Sequence, residues 1–381
     1  MLPLFYVISH YSNLPFRAWE QRKLEDILDV RSGRDYKHLD SGDIPVYGTG
    51  GYMLSVGEAL SYEEDAIGIG RKGTIDKPYI LNAPFWTVDT LFYTVPKRDS
   101  DLNFIHSIFQ KINWKSKDES TGVPSLSKTT INAVSVFTPS CSEQKEIGTF
   151  FNKLDDTIAL HQRKLDTLKQ MKKGLLQQMF PKSEEDVPKI RFADFDEEWY
   201  QRKLGEEFEK INERNDGSFG KTHWISVAKM YFVEPNKVLS NNIDTRTYVM
   251  RKGDIAFEGH SNTDFKFGRF VANDIGPGIV SELFPVYRHK TNYDNNYWKN
   301  AIQLEHIMAP IYSKSITSSG NSSNKLDSKH FLNQKIYIAD FEEQEKIGSI
   351  FKQLDNTIIL YQNKLNKFDI LKKAYLQTMF I

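Results

Sequence analysis

Two stretches of the chain carry the same seam of apolar positions. Sites 147, 151, 154, 158, 161, 165, 168, 172, 175 and 179 step by four and three without interruption. They read Ile147, Phe151, Leu154, Ile158, His161, Leu165, Leu168, Lys172, Leu175 and Met179. The same steps recur at Ile347, Phe351, Leu354, Ile358, Tyr361, Leu365, Phe368, Lys372, Tyr375 and Met379, so even the lysine interruption is duplicated. A four-three pattern held over about five heptads predicts a long helix that buries one stripe against another helix. At about 1.5 Å per residue such a helix would reach roughly 55 Å, longer than most globular helices. Two of them in one chain are expected to pair with each other, in a direction the seam alone does not choose. Charge runs such as Arg163-Lys164 and Lys172-Lys173 read as the solvated face.

The seam belongs to a wider duplication. Residues 143–180 return without a gap as 343–380, with about half of the positions identical. Earlier, Trp19-x-Gln21-Arg22-Lys23-Leu24 recurs as Trp199-x-Gln201-Arg202-Lys203-Leu204. Two marks in the same order mean two copies of one larger unit. Between them the texture changes to Gly, Tyr, Thr and short apolar runs, as in Ile44-Pro45-Val46-Tyr47, Leu91-Phe92-Tyr93-Thr94-Val95, Val134-Ser135-Val136-Phe137, Ile255-Ala256-Phe257 and Ile336-Tyr337-Ile338. Bounded by Gly and Pro, these read as strands joined by turns. Helical patches are fewer, the clearest at 104–112 and 300–312. Each half is therefore expected to be a mixed α+β head followed by one long helix.

Composition narrows the class. At 381 residues with 39% hydrophobic and 13% aromatic content, the chain can build packed cores, which argues against global disorder. Its one cysteine, Cys141, excludes an intrachain disulfide and fits a reducing compartment, so a cytoplasmic location is the expectation. The apolar opening from Met1 to Ile8 lacks the basic start and cleavage site of a signal peptide, and no stretch approaches the roughly 18 apolar residues of a membrane span. Fifty basic and fifty acidic residues give zero net charge, which counts against a nucleic-acid binder by overall balance. Locally basic pieces remain at Arg71-Lys72, Lys111 to Lys117, Arg251-Lys252 and 314–329.

Motifs for catalysis fail on context. Gly68-Ile69-Gly70-Arg71-Lys72-Gly73 has the glycine spacing of a dinucleotide site, but Thr74-Ile75-Asp76-Lys77-Pro78 cannot open a long helix after it. Gly217-Ser218-Phe219-Gly220-Lys221-Thr222 is two residues short of a phosphate loop. Asn82-Ala83-Pro84-Phe85 lacks one proline of the amino-methyltransferase signature and reads as a turn. Asp-x-Lys triplets at Asp35, Asp264 and Asp327 are expected by chance in a chain that is 26% charged. Nine scattered histidines and one cysteine offer no metal set.

A globular segment opening Trp-x-Gln-Arg-Lys-Leu and closing in Pro139-Ser140-Cys141-Ser142-Glu143-Gln144 with Ile147-Gly148, then a long Leu/Ile/Phe helix, all of it twice, resembles the specificity subunit of Type I DNA restriction-modification enzymes. The likeness covers nearly the whole chain. The second entry, Glu343-Gln344 with Ile347-Gly348, departs by lacking the proline and by carrying Asp340 where the first has Ser140, both in a turn. The loops 120–126 and 318–326, rich in small residues and ending in leucine, add to the likeness.

The resemblance implies an α+β chain with two target-recognition domains, at 1–140 and 199–340, each followed by a long helix, at 141–181 and 341–381, with a linker at 182–198. It implies an antiparallel coiled coil that holds the domains apart, and a non-catalytic subunit reading one half of a split, asymmetric double-stranded DNA site with each domain. Its implied partners are two methyltransferase subunits and the restriction-translocase subunits. S-adenosylmethionine, ATP and magnesium would sit on those partners and no cofactor on this chain. Candidate DNA contacts are Arg71, Lys72, Thr74 and Lys77 in the first half, with Arg251, Lys252, His260, Ser261, Asn262 and Lys266 in the second, Arg251-Lys252 being placed as the counterpart of Arg71-Lys72. Arg suits guanine edges and Asn suits adenine. Candidate helix-helix contacts are Ile147, Phe151, Leu154, Ile158, Leu165 and Leu168 with Ile347, Phe351, Leu354, Ile358, Leu365 and Phe368. Two other readings stay open: a coiled-coil scaffold with protein-binding heads, and the recognition part of a single-chain modification enzyme.

Overall fold

The computed structural model describes residues 19–182, 185–239, 243, 246–319 and 323–380. They form two compact units, one of residues up to Arg163 together with Asn363–Ile381, the other of Lys164–Gln362. These units do not follow the linear boundaries at 140 and 340. Each combines one head with the start of the helix that follows it and the end of the other long helix.

In the first unit, β1 (Glu20–Lys23) pairs antiparallel with β9 (Ser135–Thr138) and so ties the opening of the head to its close. A single turn, α1 (Leu24–Ile27), leads into β2 (Leu28–Ser32), the edge of a four-stranded sheet. That sheet also holds β5 (Ala66–Gly70), β6 (Tyr79–Leu81) and β8 (Leu91–Pro96), in the order β2-β8-β5-β6. A second sheet, β4-β3-β7, is built from the hairpin β3 (Ser41–Gly48) and β4 (Gly51–Val56), with β7 (Trp86–Thr87) parallel to β3. Helix α2 (Leu102–Lys111) buries Phe104, Ile105, Ile108 and Phe109, positions spaced for one helical face. Asp101 caps it by accepting from the Phe104 N–H at 2.9 Å. Short α3 (Lys128–Asn132) then returns the chain to β9 and to the long helix α4 (Cys141–Gln178).

The second unit repeats this plan with different loops. Strand β10 (Tyr200–Lys203) pairs with β21 (Lys335–Ile338), and α5 (Leu204–Glu207) follows as α1 does. The main sheet holds β11 (Phe208–Ile211), β15 (Ile255–Glu258), β16 (Arg269–Ala272) and β18 (Val286–His289), in the order β11-β18-β15-β16. Beside it lie the hairpin β12 (Ile225–Ser226) and β13 (Tyr231–Phe232), and the pair β14 (Thr247–Met250) and β17 (Gly278–Ser281). The sequence pattern over 300–312 predicts one helical patch. The structure has two helices there, α6 (Asn295–Ala301) and α7 (Glu305–Ser315). The break buries Ile302 and Leu304 together, which one continuous helix would not do. Hairpin β19 (Ile316–Ser319) and β20 (Asn324–Leu326), then α8 (Ser328–Leu332), lead to β21 and the long helix α9 (Phe341–Thr378).

Both long helices begin in the same way, and the duplicated residues explain themselves there. The indole N–H of Trp19 donates to Glu143 at 3.2 Å and that of Trp199 to Glu343 at 3.0 Å. The Gln144 side chain donates to the Pro139 carbonyl at 3.0 Å and accepts from the Asp101 N–H at 3.2 Å. Gln344 does the same with Ala339 and Asp294, at 2.9 and 3.4 Å. The bond goes to a backbone carbonyl, so replacing proline by alanine in the second copy changes nothing. Ser140 and Asp340 both accept from the glutamate N–H three residues on, at 3.4 and 2.7 Å, so the departure at that position exchanges one cap for another. The glycine of each entry admits the capping aspartate: a Cβ on Gly148 would lie 2.3 Å from an Asp101 carboxylate oxygen, and one on Gly348 only 1.9 Å from Asp294.

Within each unit the helices pair antiparallel. Asp155 meets Lys372, His161 stacks on Phe368 at 5.3 Å, and Phe150 meets Tyr375 at 5.2 Å. In the second unit Lys172 bonds Asp355 at 2.5 Å and Phe180 meets Phe351 at 6.0 Å. Numbers rise on one helix as they fall on the other, and the seam lysines are neutralised by partners one helix away. Of the seam candidates, Leu165 and Leu365 are buried, Leu154 nearly so, and Ile158, Leu168, Leu354, Ile358 and Phe368 half-buried. Ile147, Phe151, Ile347 and Phe351 are buried too, but in the head cores. There Phe380 packs among Trp19, Phe104 and Phe151, and Phe180 among Trp199, Tyr297 and Phe351.

Two stability predictions follow from this packing. Gly148→Ala and Gly348→Ala should each cost about 1–3 kcal/mol in denaturant unfolding through overpacking. Gly174→Ala, where a Cβ meets nothing within 4 Å, should instead gain up to ~1 kcal/mol. In the second head, His289 lies 3.7 Å from Tyr293 and 4.3 Å from Phe208 between ring centroids, with neither ring nitrogen hydrogen-bonded, and burial pushes its pKa down from 6.5 to about 3. As pH falls the unfolded chain therefore binds this proton first. The stability that depends on neutral His289 is complete above about pH 6.5 and is lost progressively toward pH 3. His289→Phe should narrow the gap between urea midpoints measured at pH 7 and pH 5.

Candidate nucleic-acid interface

In the first head, the chain leaves β5 at Gly70 and folds back on itself at once. A Cβ at Gly70 would sit 2.0 Å from the Thr74 carbonyl, and Gly73 has φ +98°, a region that glycine enters without strain. The Arg71 and Lys72 N–H groups donate to the Thr90 carbonyl at 2.8 and 3.2 Å, and the Gly73 N–H to Pro124 at 2.8 Å. The Leu126 N–H donates back to the Arg71 carbonyl at 2.9 Å. The loop 120–126 thus stands beside the Arg71 turn. It is shaped by Asp118, whose carboxylate accepts from the Ser120 and Ser125 N–H groups at 3.0 and 2.9 Å; these bonds hold its pKa below the usual range.

What results is a groove lined by Ser32, Arg71, Lys72, Phe92, Ser125, Leu126, Ser127 and Lys128. Arg71 and Lys72 are exposed at its edge, Arg71 reaching the Asp89 carbonyl at 3.4 Å. Thr74 is half-buried and Lys77 exposed on the same loop, near the Lys115–Asp76 ion pair at 2.9 Å. All four candidates of this half lie on one loop. Lys128 completes the set and was missed by the sequence reading; its signal was Ser127, which caps α3 by accepting from the Thr130 N–H at 3.0 Å.

The second head corrects one assignment. The sheet orders make β15 the counterpart of β5, so the segment matching Arg71-Lys72 is the one after β15, at Gly259-His260-Ser261. Arg251 and Lys252 precede β15 and stand at its opposite end. The hydrogen bonding agrees, since the Asn324 N–H donates to the Gly259 carbonyl at 2.9 Å as Leu126 does to Arg71. Arg251 is engaged internally, pairing with Glu213 at 2.5 Å, while Arg288 bridges Glu213 and the buried Asp254. The shared Arg-Lys-Gly made the two segments look alike, but the next residue, Asp254 where the first head has Thr74, serves that ion-pair cluster.

The remaining candidates cluster after β15. His260 is exposed and its ring contacts Glu258, which itself is buried. Ser261 is exposed. The Asn262 side chain accepts from the Asp264 and Phe265 N–H groups at 2.9 and 3.0 Å, shaping the turn, and Lys266 is exposed beside the Phe267 ring at 5.6 Å. Arg269 places its guanidinium over Phe265 at 4.8 Å and donates to the Ala228 carbonyl at 2.5 Å.

Among the described residues no group of three or more His, Cys, Asp or Glu is placed to hold a metal. No helix there is long and apolar enough to cross a membrane. The glycine spacing at 68–73 closes a strand and opens no helix, and 217–222 runs into a single 3₁₀ turn, Lys221–His223.

Two α+β heads with matched loops, each followed by a long helix, are an architecture that also appears among known proteins. Residues 17–170 match the family model of the Type I restriction modification DNA specificity domain. The specificity subunit of the Type I restriction enzyme MjaVIII of Methanocaldococcus jannaschii is 21% identical over 304 residues, 73% of this chain and 69% of that protein. The crystal structure of a Type I restriction-modification S subunit from M. genitalium superposes with a TM-score of 0.65 at 14% identity, covering 97% of this chain and 98% of that one. A chain from a structural study of the assembly and conformational transition of the type I R-M system gives 0.50 at 13% identity, covering 96% and 97%. The chain is thus similar to Type I restriction-modification specificity subunits, in sequence over its first head and in fold over nearly its whole length.

Proposed function

We propose that each head reads one half of a bipartite, asymmetric DNA site, that the antiparallel helices fix the gap between the halves, and that two methyltransferase subunits and the restriction-translocase subunits dock on this frame. The observation that carries the reading is the duplicated loop contact. The same backbone bond joins the segment after β5 to Leu126 and the segment after β15 to Asn324, yet the side chains presented are Arg71 and Lys72 in one head and His260 and Ser261 in the other. A common frame with different side chains fits two different half-sites, with phosphate contacts positioning the domain and base edges specifying it.

On this reading the chain performs no catalysis itself and acts in the cytoplasm. S-adenosylmethionine, ATP and magnesium belong to the partners, which supply the methyl transfer and the translocation. Support for two copies of one partner comes from apolar positions left exposed at duplicated places on the helices, Leu160 with Leu360 and Met171 with Leu371. The members of each helix are 11 residues apart, about three turns, and so share a face. Leu160 and Leu371 belong to the first unit, Met171 and Leu360 to the second.

Methylome sequencing of cells expressing this chain with its methyltransferase is expected to show methylated adenine in a two-part motif with a constant gap; a contiguous motif would count against the proposal. Since the chain carries no net charge, alone it should bind DNA weakly and with strong salt dependence, and tightly only with methyltransferase present. Equal affinity for cognate DNA in both states, by fluorescence anisotropy, would contradict the division of labour.

A further inference from the structure

We infer that the hairpins β3–β4 and β12–β13 are a second DNA-reading element of each head, acting beside the basic loop. This rests on the bipartite reading proposed above and adds to it residues outside the loops after β5 and β15.

The two hairpins are topological counterparts. Strand β3 runs parallel to β7, with Val46 opposite Trp86, and the chain next to β12 bridges β17 in parallel, with Trp224 opposite Ile279. Both β7 and β17 precede the strand at the same place in the main sheet, β8 and β18. The tips differ. In the first head Gly48 faces Gly51 across a two-residue turn, Thr49-Gly50, and neither Gly50 nor Gly51 would bring a Cβ within 4 Å of another atom. In the second, Ser226 faces Tyr231 across four residues, with Met230 at φ 48°.

Each hairpin exposes apolar surface immediately after its turn. Tyr52 is 63% and Met53 49% exposed, Tyr231 47% and Phe232 38%. Large apolar side chains left uncovered at the same topological place in both heads call for a partner that covers them. The neighbouring surface says which partner. The hollow beneath the first hairpin is lined by Asp35, Tyr36 and Lys37, residues 48–53 and residues 88–90. Asp89 and Thr90 are also the residues that accept from Arg71 and Lys72, so hollow and basic groove share one wall. In the second head the hairpin tip is fastened to the start of β16, where the candidate loop ends, since Ala228 accepts from Arg269. Exposed Lys229 lies on that tip.

In the first head a basic loop beside a hairpin carrying Tyr and Met, and in the second a loop with Lys266 beside a hairpin carrying Lys, Tyr and Phe, fit a duplex. The cations meet phosphates, and a two-stranded ribbon is narrow enough for the major groove, where aromatic and methyl surfaces contact thymine methyl groups. Thr49 at the first tip offers both a methyl and a hydroxyl. Lys229, Tyr231 and Phe232 would take the same place in the second half-site.

The test uses the full chain assembled with methyltransferase. The double variant Tyr52→Ala, Met53→Ala should lose about 10-fold or more in affinity for cognate DNA, the size of a lost base contact. Methylome sequencing should show relaxed bases in one half of the motif only. Tyr231→Ala, Phe232→Ala should relax the other half. The untouched half reports that the complex is folded, and Thr49→Val, a near-isosteric change at a half-buried turn residue, keeps the test open if a double variant does not assemble: it should alter preference at one position of the first half. Unchanged affinity and motif in the assembled variants overturn the inference. A wild-type complex that yields no bipartite motif instead overturns the underlying functional reading, so the two failures are distinguishable.

Discussion

The structure depends on how the ends of the long helices are buried in the heads. Phe380 sits among Trp19, Phe104 and Phe151, and Phe180 among Trp199, Tyr297 and Phe351. Each buried ring contributes on the order of 1.5–3 kcal/mol by area, with edge and tilted contacts adding to it. Because each long helix ends in the same compact unit where the other begins, antiparallel pairing and head packing are one requirement. The Lys111 ammonium, donating to the Phe380 carbonyl at 2.7 Å, closes that end of the first unit.

The mouths of the helices add a polar lock. Burying Glu343 completely costs several kcal/mol of hydration, offset only because Arg191 pairs with it at 2.8 Å and the Trp199 indole donates to it. Gln144 and Gln344 use both ends of their amides, and the glycines at 148 and 348 let the capping aspartates approach. A frame so fully engaged tolerates little change. The loops after β5 and β15 carry fewer such obligations, which leaves their outward side chains free to differ between heads.

Much of this was legible in the chain. The four-three seam gave both long helices, because a buried stripe on a 3.6-residue helix must recur at that spacing. The Trp and Glu-Gln marks gave the two heads. Within the heads legibility fell: 300–312 looks like one helical patch but is two helices, since the core takes Ile302 and Leu304 together. Arg251-Lys252-Gly253 resembles Arg71-Lys72-Gly73 in letters but stands at the other end of its strand. Asp101 and Asp294, essential to the helix entries, show only as ordinary caps in sequence.

The sequence by itself determined that there are two copies of a head and a long helix, and which stripe each helix buries; these are local or periodic properties, written in neighbouring residues. Only the tertiary structure decided that the helices run antiparallel, that Lys172 and Lys372 are neutralised by Asp355 and Asp155, and which loop of the second head matches Arg71. Direction, partner and equivalence depend on contacts between residues far apart in sequence, which a seam of apolar positions satisfies equally well in either direction.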